Sequence, residues 1–223
     1  MSILTRSMSM RALSRMQRFH DDLLELFSKN DMSLLEDLGR RNVLLSNAQE
    51  KYFGDELRRD FRVTTDGRTG QPDIVAEDSD GNKHEIECKL TTRHSKGGIV
   101  LQTDYGTLER KGSLDYLYVV ADPDFDKFAV LYFQALTTDD FRPPSSGSRG
   151  KAAMYKHRGF KKCEVLVGSI VNNSQRYIID INKKLSENPQ TSERNKLEKR
   201  LRHWTTAPEN FTIELERVSH MHT

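Results

Sequence analysis

The chain has 223 residues, 35% of them hydrophobic and 30% charged, with a formal net charge of +2. That suffices for one sizeable core with small appended parts, and no run approaches the roughly 18 apolar residues that a membrane-spanning helix needs. Two cysteines, Cys88 and Cys163, form neither a disulfide framework nor a C-x-x-C zinc pattern, and the histidines show no metal-ligand spacing. No glycine-rich phosphate loop, nucleophile elbow or Cys-His pair is present, so no nucleotide cofactor is expected. A reducing, cytoplasmic setting without a membrane partner is expected.

In chain order, the first twenty residues carry Arg6, Arg11, Arg15 and Arg18 and no acid, which superficially matches a transit peptide. Met16, Phe19, Leu23, Leu26 and Phe27 nevertheless keep helical spacing. The simpler expectation is an N-terminal helix packed on the core or on a second subunit. Ser46 is a good N-cap, and residues 47–60 read as an amphipathic helix with Ala48, Tyr52, Phe53 and Leu57 on one face. Residues 61–65 read as a short strand and 66–70 as a loop.

A hairpin follows. Pro72-Asp73-Ile74-Val75 leads to a polar turn at Ser79-Asp80-Gly81-Asn82, and then to Glu85-Ile86-Glu87-Cys88-Lys89-Leu90. Side chains alternate along a strand, so His84, Ile86, Cys88 and Leu90 share one side while Glu85, Glu87 and Lys89 share the other. Pairing 73–77 with 84–90 brings the Asp73 carboxylate toward that of Glu87. A plain charged edge hairpin, solvated against aggregation, is the competing reading.

Gly97-Gly98 breaks the chain, and residues 99–111 read as a modest helix ended by Gly112. Residues 114–121 and 127–133 are β-branched and aromatic, and read as two buried strands joined by an Ala-Asp-Pro-Asp turn. From Arg142 to Lys162 lie seven Lys or Arg residues and no acid, among Pro, Ser and Gly. This stretch, with Arg149, Lys151, Lys156, Arg158, Lys161 and Lys162, reads as a mobile basic loop suited to a phosphate backbone, or as a merely solvated one. Arg93 and Lys96 are further candidates for DNA contact. Beyond it come a strand over 164–171, a helix over 174–186, a basic helix over 193–204 and a last strand over 211–218. Trp204 is expected to pack.

Two carboxylates beside an ammonium have a definite chemical use. Hard divalent cations such as Mg2+ take oxygen ligands and keep several waters, and a neighbouring lysine can orient or activate one of those waters for attack on a phosphodiester. At these residues the chain resembles the PD-(D/E)xK nuclease superfamily: Pro72-Asp73 matches the first half-motif and Glu87-Cys88-Lys89 the second. The helix, three strands, helix, two strands order over about 46–135 is similar to the αβββαβ core of that superfamily.

The resemblance implies an α/β fold (an α+β mixed sheet) with a restriction-endonuclease-like core over 46–140. A helical segment over 1–45 would supply packing or dimer contacts, and an α/β extension over 141–223 would belong to the same domain. Asp73, Glu87 and Lys89 are implied as catalytic, and Asp73, Glu87 and the Cys88 backbone carbonyl as ligands of a Mg2+ cofactor. Glu50, with Glu56 as its rival, stands where many members place a helix acid that completes the metal site. Some members carry Gln-x-x-x-Tyr after the lysine; here Gln102-Thr103-Asp104-Tyr105 is one residue short, which puts a role for Gln102 in doubt. The expected function is Mg2+-dependent cleavage of double-stranded DNA by a homodimer, most like a type II restriction enzyme. A repair nuclease, a Holliday-junction resolvase and a non-catalytic DNA-binding module stay open as alternatives.

Overall fold

The computed structural model describes residues 2–65, 71–93, 98–206 and 211–218. The loop expected at 66–70, and the expectations for Lys96 and Gly97, lie outside the described residues. Helix α1 (Arg6–Ser28) opens on Thr5, whose hydroxyl accepts the Met8 N–H. It starts earlier than the spacing suggested because Met8, Ala12, Leu13 and Met16 prolong the apolar stripe, interleaved with buried Ser9, Ser14 and Gln17.

Helix α2 (Leu38–Leu57) starts on Asp37, whose carboxylate accepts the Arg40 N–H at 3.0 Å. The expected N-cap, Ser46, lies mid-helix and donates its hydroxyl to the Val43 carbonyl at 2.8 Å. The boundary expected between residues 45 and 46 therefore falls inside α2. Buried Arg41 occupies a core-facing position of the first turns and interrupts the apolar pattern there.

Strands β1 (Arg62–Thr65), β2 (Ile74–Glu77) and β3 (Lys83–Thr92) form an antiparallel meander. The turn between β2 and β3 is closed by Asp78, whose carboxylate accepts the N–H groups of Asp80 and Asn82, both at 2.9 Å, while Gly81 takes the positive φ of 83°. Residues 99–101 are not helical: β4 (Gln102–Asp104) and a shorter α3 (Tyr105–Lys111) replace the expected helix, which does end at Gly112. Asp104 caps α3 through the Thr107 N–H at 2.9 Å, and the burial of Ile99 and Leu101 outweighs helix continuation.

Then come β5 (Leu114–Ala121), β6 (Lys127–Leu136), β7 (Lys151–Ala153), α4 (Lys156–Gly159), β8 (Cys163–Val167) and β9 (Ser169–Asn172). The chain continues with α5 (Asn173–Ser186), α6 (Thr191–Thr206), β10 (Phe211–Glu214) and β11 (Glu216–Arg217). The strand expected over 164–171 is split at Gly168, whose φ of 78° turns the chain from one sheet to another.

The main sheet runs β1-β2-β3-β5-β6-β11, with β8 also paired to β6; β3 and β5 are parallel and the other pairs antiparallel. The fold is mixed α/β. Helices α1 and α2 cover one face, burying Leu13, Met16, Leu45 and Phe53 against Ile74, Ile86, Cys88, Leu117, Val119 and Val130. On the other face Tyr116, Tyr118, Leu131 and Phe133 pack with Leu101, Leu108, Phe141 and Met154. Strands β5 and β6 are thus buried on both sides, which explains their near-continuous apolar runs. Among the described residues no helix is long and apolar enough to cross a membrane.

Candidate active site

The β2–β3 ladder is shorter than the expected 73–77 with 84–90: it runs from Ile74–Ile86 to Glu77–Lys83, and Asp73, just before β2, meets β3 through its carboxylate instead. On its other edge β3 pairs Glu87 with Tyr116 and Lys89 with Tyr118 of β5. Paired residues project to the same side, so Glu87 and Lys89 share the face of Tyr116 and Tyr118. β3 is flanked by β2 over Lys83–Ile86 and by β5 over Ile86–Thr92, so the cluster lies where β2 leaves the strand, backed by β5. Only 15% of the Glu87 side chain and 29% of that of Lys89 is exposed, and the two form a direct ion pair. One carboxylate oxygen of Asp73 accepts the Cys88 N–H at 2.7 Å.

Helix α2 brings in a third acid. Glu50 is pushed up to about 7, first by burial and then by the charges of Asp73 and Glu87, with Lys89 pulling the other way. Asp73 is pushed up to about 6, again by burial first and then by Glu87, against the opposing Cys88 N–H and Lys89. Like charges gathered in a half-buried place raise one another's proton affinity. For Lys89, burial works against the ammonium, but its contact with Glu87 and the charge of Asp73 outweigh this and hold its pKa above the ordinary lysine value. The lysine is therefore a fixed cation and hydrogen-bond donor, suited to orienting a water and unsuited to taking its proton at neutral pH. The Cys88 thiol is raised well above its usual range, by burial first and then by the surrounding acids, and stays an un-ionised apolar filler.

The rival acid, Glu56, is otherwise engaged: Arg11 donates to its carboxylate at 2.8 Å, and Arg59 lies within 3.5 Å. Gln49, which sequence reasoning passed over, is fully buried beside Glu50 and donates to the carbonyls of Leu117 at 2.9 Å and Lys89 at 3.5 Å. It pins α2 to the strands and so sets the height of Glu50 over the site. Its signal in the sequence was a polar residue in the i, i+4 series with Leu45, Phe53 and Leu57.

Among the described residues no group of three or more His, Cys, Asp or Glu side chains is arranged to hold a metal ion. Mg2+ keeps most of its waters and takes one or two carboxylates from a protein, and Asp73 with Glu87 supply that donor set, the Cys88 carbonyl lying between Glu87 and Lys89 in the chain. Acids whose proton affinity is raised by mutual repulsion are what a cation would relieve. The donor chemistry fits a hard divalent cation.

The basic stretch is not a structureless loop throughout. Residues 151–153 form β7, paired with β4, and α4 follows. Lys162 donates to Asp140 at 2.7 Å and to the Ala135 carbonyl at 3.2 Å, and Arg158 donates to the Asp139 carbonyl at 2.7 Å with its guanidinium 4.9 Å from the Tyr155 ring centre. These two brace the fold. Lys151 lies 3.9 Å from Asp104, burial lowers the pKa of Lys156, and Arg149 and Lys161 are exposed. Gln102 is exposed on β4, its carbonyl accepting the hydroxyl of Tyr118, the strand partner of Lys89, at 2.7 Å. Trp204 stacks on Tyr177 at 4.5 Å between ring centres, joining α6 to α5 as expected of a packing residue. Comparison with protein-family models, with curated proteins and with solved structures finds no match to this chain.

Proposed function

We propose that the chain is a Mg2+-dependent endonuclease that hydrolyses phosphodiester bonds in double-stranded DNA, built on a restriction-endonuclease-like core. The observation that carries this is the convergence of Glu50, Asp73, Glu87 and Lys89, from α2, the entry to β2 and β3, at a half-buried spot where β2 leaves the sheet. A fold that buries like charges for stability alone gains nothing, since each such group costs more than it returns unless it binds something. The order α2-β1-β2-β3-β4-α3-β5, with β3 and β5 parallel, supports the reading, β4 being a short strand added between β3 and α3 and paired outside the main sheet.

In this reading Asp73, Glu87 and the Cys88 carbonyl would hold the cation, and Glu50 stands by as a neighbouring acid that acts on Asp73 and Glu87 through its charge. When bound, Mg2+ would make water a stronger acid and neutralise charge gathering on the phosphate. Glu87 keeps Lys89 charged and in place, and the ammonium orients the attacking water and faces the developing negative charge. Asp73 is held by the Cys88 N–H, so the acid and the lysine-bearing strand keep their spacing through the reaction.

Two antiparallel cuts in a duplex call for two such sites, hence a homodimer, most like a type II restriction enzyme. Incubating purified protein with plasmid and Mg2+, then sequencing the ends, tests this directly. Fixed ends at a palindrome support the restriction-enzyme reading, and cleavage confined to branched DNA supports a junction resolvase. Binding without any cleavage leaves a DNA-binding module and removes the nuclease.

A further inference from the structure

We propose that the cleft at the C-terminal end of β3, walled by Leu38, Gly39, Asn42, Thr91, Arg93 and Pro123, seats a backbone phosphate of the strand being cut, next along from the scissile one; this rests on the nuclease reading above. The cleft has a volume of about 480 Å3, room for a phosphodiester with its sugar. Glu87, Lys89, Thr91 and Arg93 are alternate residues and so lie in one row. The Arg93 N–H donates to the Ala121 carbonyl at 2.8 Å, the bond that closes the Thr92–Ala121 pair and fixes the Arg93 backbone directly after the last residue of β3. Lys89 and Arg93 are four residues apart, roughly 13 Å of extended strand. A nucleic-acid strand whose scissile phosphate faces Lys89 and which runs along β3 thus brings a neighbouring phosphate to Arg93.

The walls of the cleft are held rigid at considerable cost. Arg41 is fully buried, and its guanidinium donates to the Pro123 carbonyl, to the Asp122 carbonyl at 3.5 Å and to the Thr92 hydroxyl at 2.9 Å. The Asn42 amide donates to the same hydroxyl at 3.0 Å. These bonds join the first turns of α2, the end of β3 and the β5–β6 turn, the three pieces that enclose the space.

The charge is available where it is needed. Among the described residues no carboxylate lies within ion-pair distance of Arg93, whereas Lys162 and Lys151 face Asp140 and Asp104. Three acids lie near the cleft: Asp37 caps α2 and pairs with Arg40 at 3.3 Å, Asp122 accepts the Asp126 and Lys127 N–H groups at 2.8 and 3.1 Å, and Asp124, like Asp122, acts on the Arg41 guanidinium. A guanidinium matches two phosphate oxygens at once, and the positive end of the 20-residue α2 adds to the attraction.

The test uses the full chain. Cleavage of DNA with Mg2+ is measured first, to establish the activity and map the cut. Binding is then followed with Ca2+ in place of Mg2+, over a range of salt, for the wild type, Arg93→Ala and Arg93→Lys. Arg93→Ala is expected to bind about tenfold more weakly and to lose about 0.9 from the slope of log affinity against log salt. Arg93→Lys keeps the slope and recovers only part of the affinity. In the wild type, an uncharged methylphosphonate beside the scissile phosphate is expected to weaken binding about tenfold, an effect absent in Arg93→Ala. A wild type that cleaves DNA but ignores this substitution, or an Arg93→Ala protein with an unchanged slope, overturns the phosphate site while leaving the nuclease reading intact. A wild type that neither binds nor cleaves DNA removes both. The methylphosphonate series on wild-type protein decides the question even if Arg93→Ala does not fold.

Discussion

The Asp73 carboxylate accepts the backbone N–H of Cys88 at 2.7 Å, and Cys88 is the residue that separates Glu87 from Lys89. That bond ties the entry of β2 to the middle of β3, and it stabilises the charged form of Asp73 against burial and the charge of Glu87, which push the other way. The site is therefore poised between protonated and ionised states near neutrality, a condition that experiment can read.

Without divalent cation, stability should fall as pH rises. Asp73 near 6 and Glu50 near 7 both lie above the ordinary carboxylate value. Their contribution is fully present below that ordinary value and is lost as pH climbs through about 6 and about 7. Asp73→Asn and Glu50→Gln should match the wild type in melting temperature at pH 4 and exceed it at pH 8, by on the order of 3 °C for about 1 kcal/mol after solvent screening. Mg2+ should raise the melting temperature of the wild type at pH 8 and do little for Asp73→Asn. Identical melting curves for variants and wild type at pH 8 would show that the acids do not repel one another.

Cleavage should require Lys89. Lys89→Ala is expected to lose roughly a hundredfold or more in rate, while DNA binding measured with Ca2+ changes less than about threefold because the ammonium is already neutralised by its ion pair with Glu87. Since Glu87 and Asp73 hold the ammonium above its ordinary value, the rate should not drop through lysine deprotonation on the alkaline side until beyond the usual lysine range. Full activity in Lys89→Ala would remove this residue from the mechanism.

The basic segment should divide into two groups by phenotype. Neutralising Arg149, Lys151, Lys156 and Lys161 is expected to weaken DNA binding and flatten its salt dependence, by about 0.9 for each phosphate that is no longer neutralised. Lys162→Gln should instead lower stability by about 1–2 kcal/mol, because it strands the 6%-exposed Asp140 carboxylate. Chemical denaturation and salt titration separate the two outcomes. A salt slope unchanged by the fourfold substitution would make the segment a bystander.

Gly168→Ala should destabilise the fold by about 2–3 kcal/mol. At a φ of 78° an added Cβ would stand 2.5 Å from the Glu214 carbonyl oxygen, a backbone atom that cannot move aside cheaply. Urea unfolding of this variant, read against the wild type, checks the cost; equal midpoints would mean that the strand switch tolerates a side chain.

Much of this protein was determined by local rules legible in the chain. The Asp-Gly turn set the β2–β3 register, which ends at Ile74–Ile86 and so delivers Asp73 to the stretch of β3 that carries Glu87, Cys88 and Lys89. The paired apolar runs of β5 and β6 announced strands covered on both faces. Tertiary packing decided the rest. It extended α1 and α2 toward their N-termini, since buried Arg41, Gln17 and the serines hide the apolar periodicity; the two terminal guanidinium nitrogens of Arg41 and the Gln17 amide nitrogen find acceptors distant in sequence, the Thr92 hydroxyl and the Pro123 and Phe125 carbonyls. It replaced the first half of an expected helix with β4, because pairing with β7 and burial of Leu101 are long-range gains. It also chose Glu50 over Glu56, for proximity to Asp73 and capture by Arg11 are facts of three-dimensional neighbourhood that spacing along one helix does not contain.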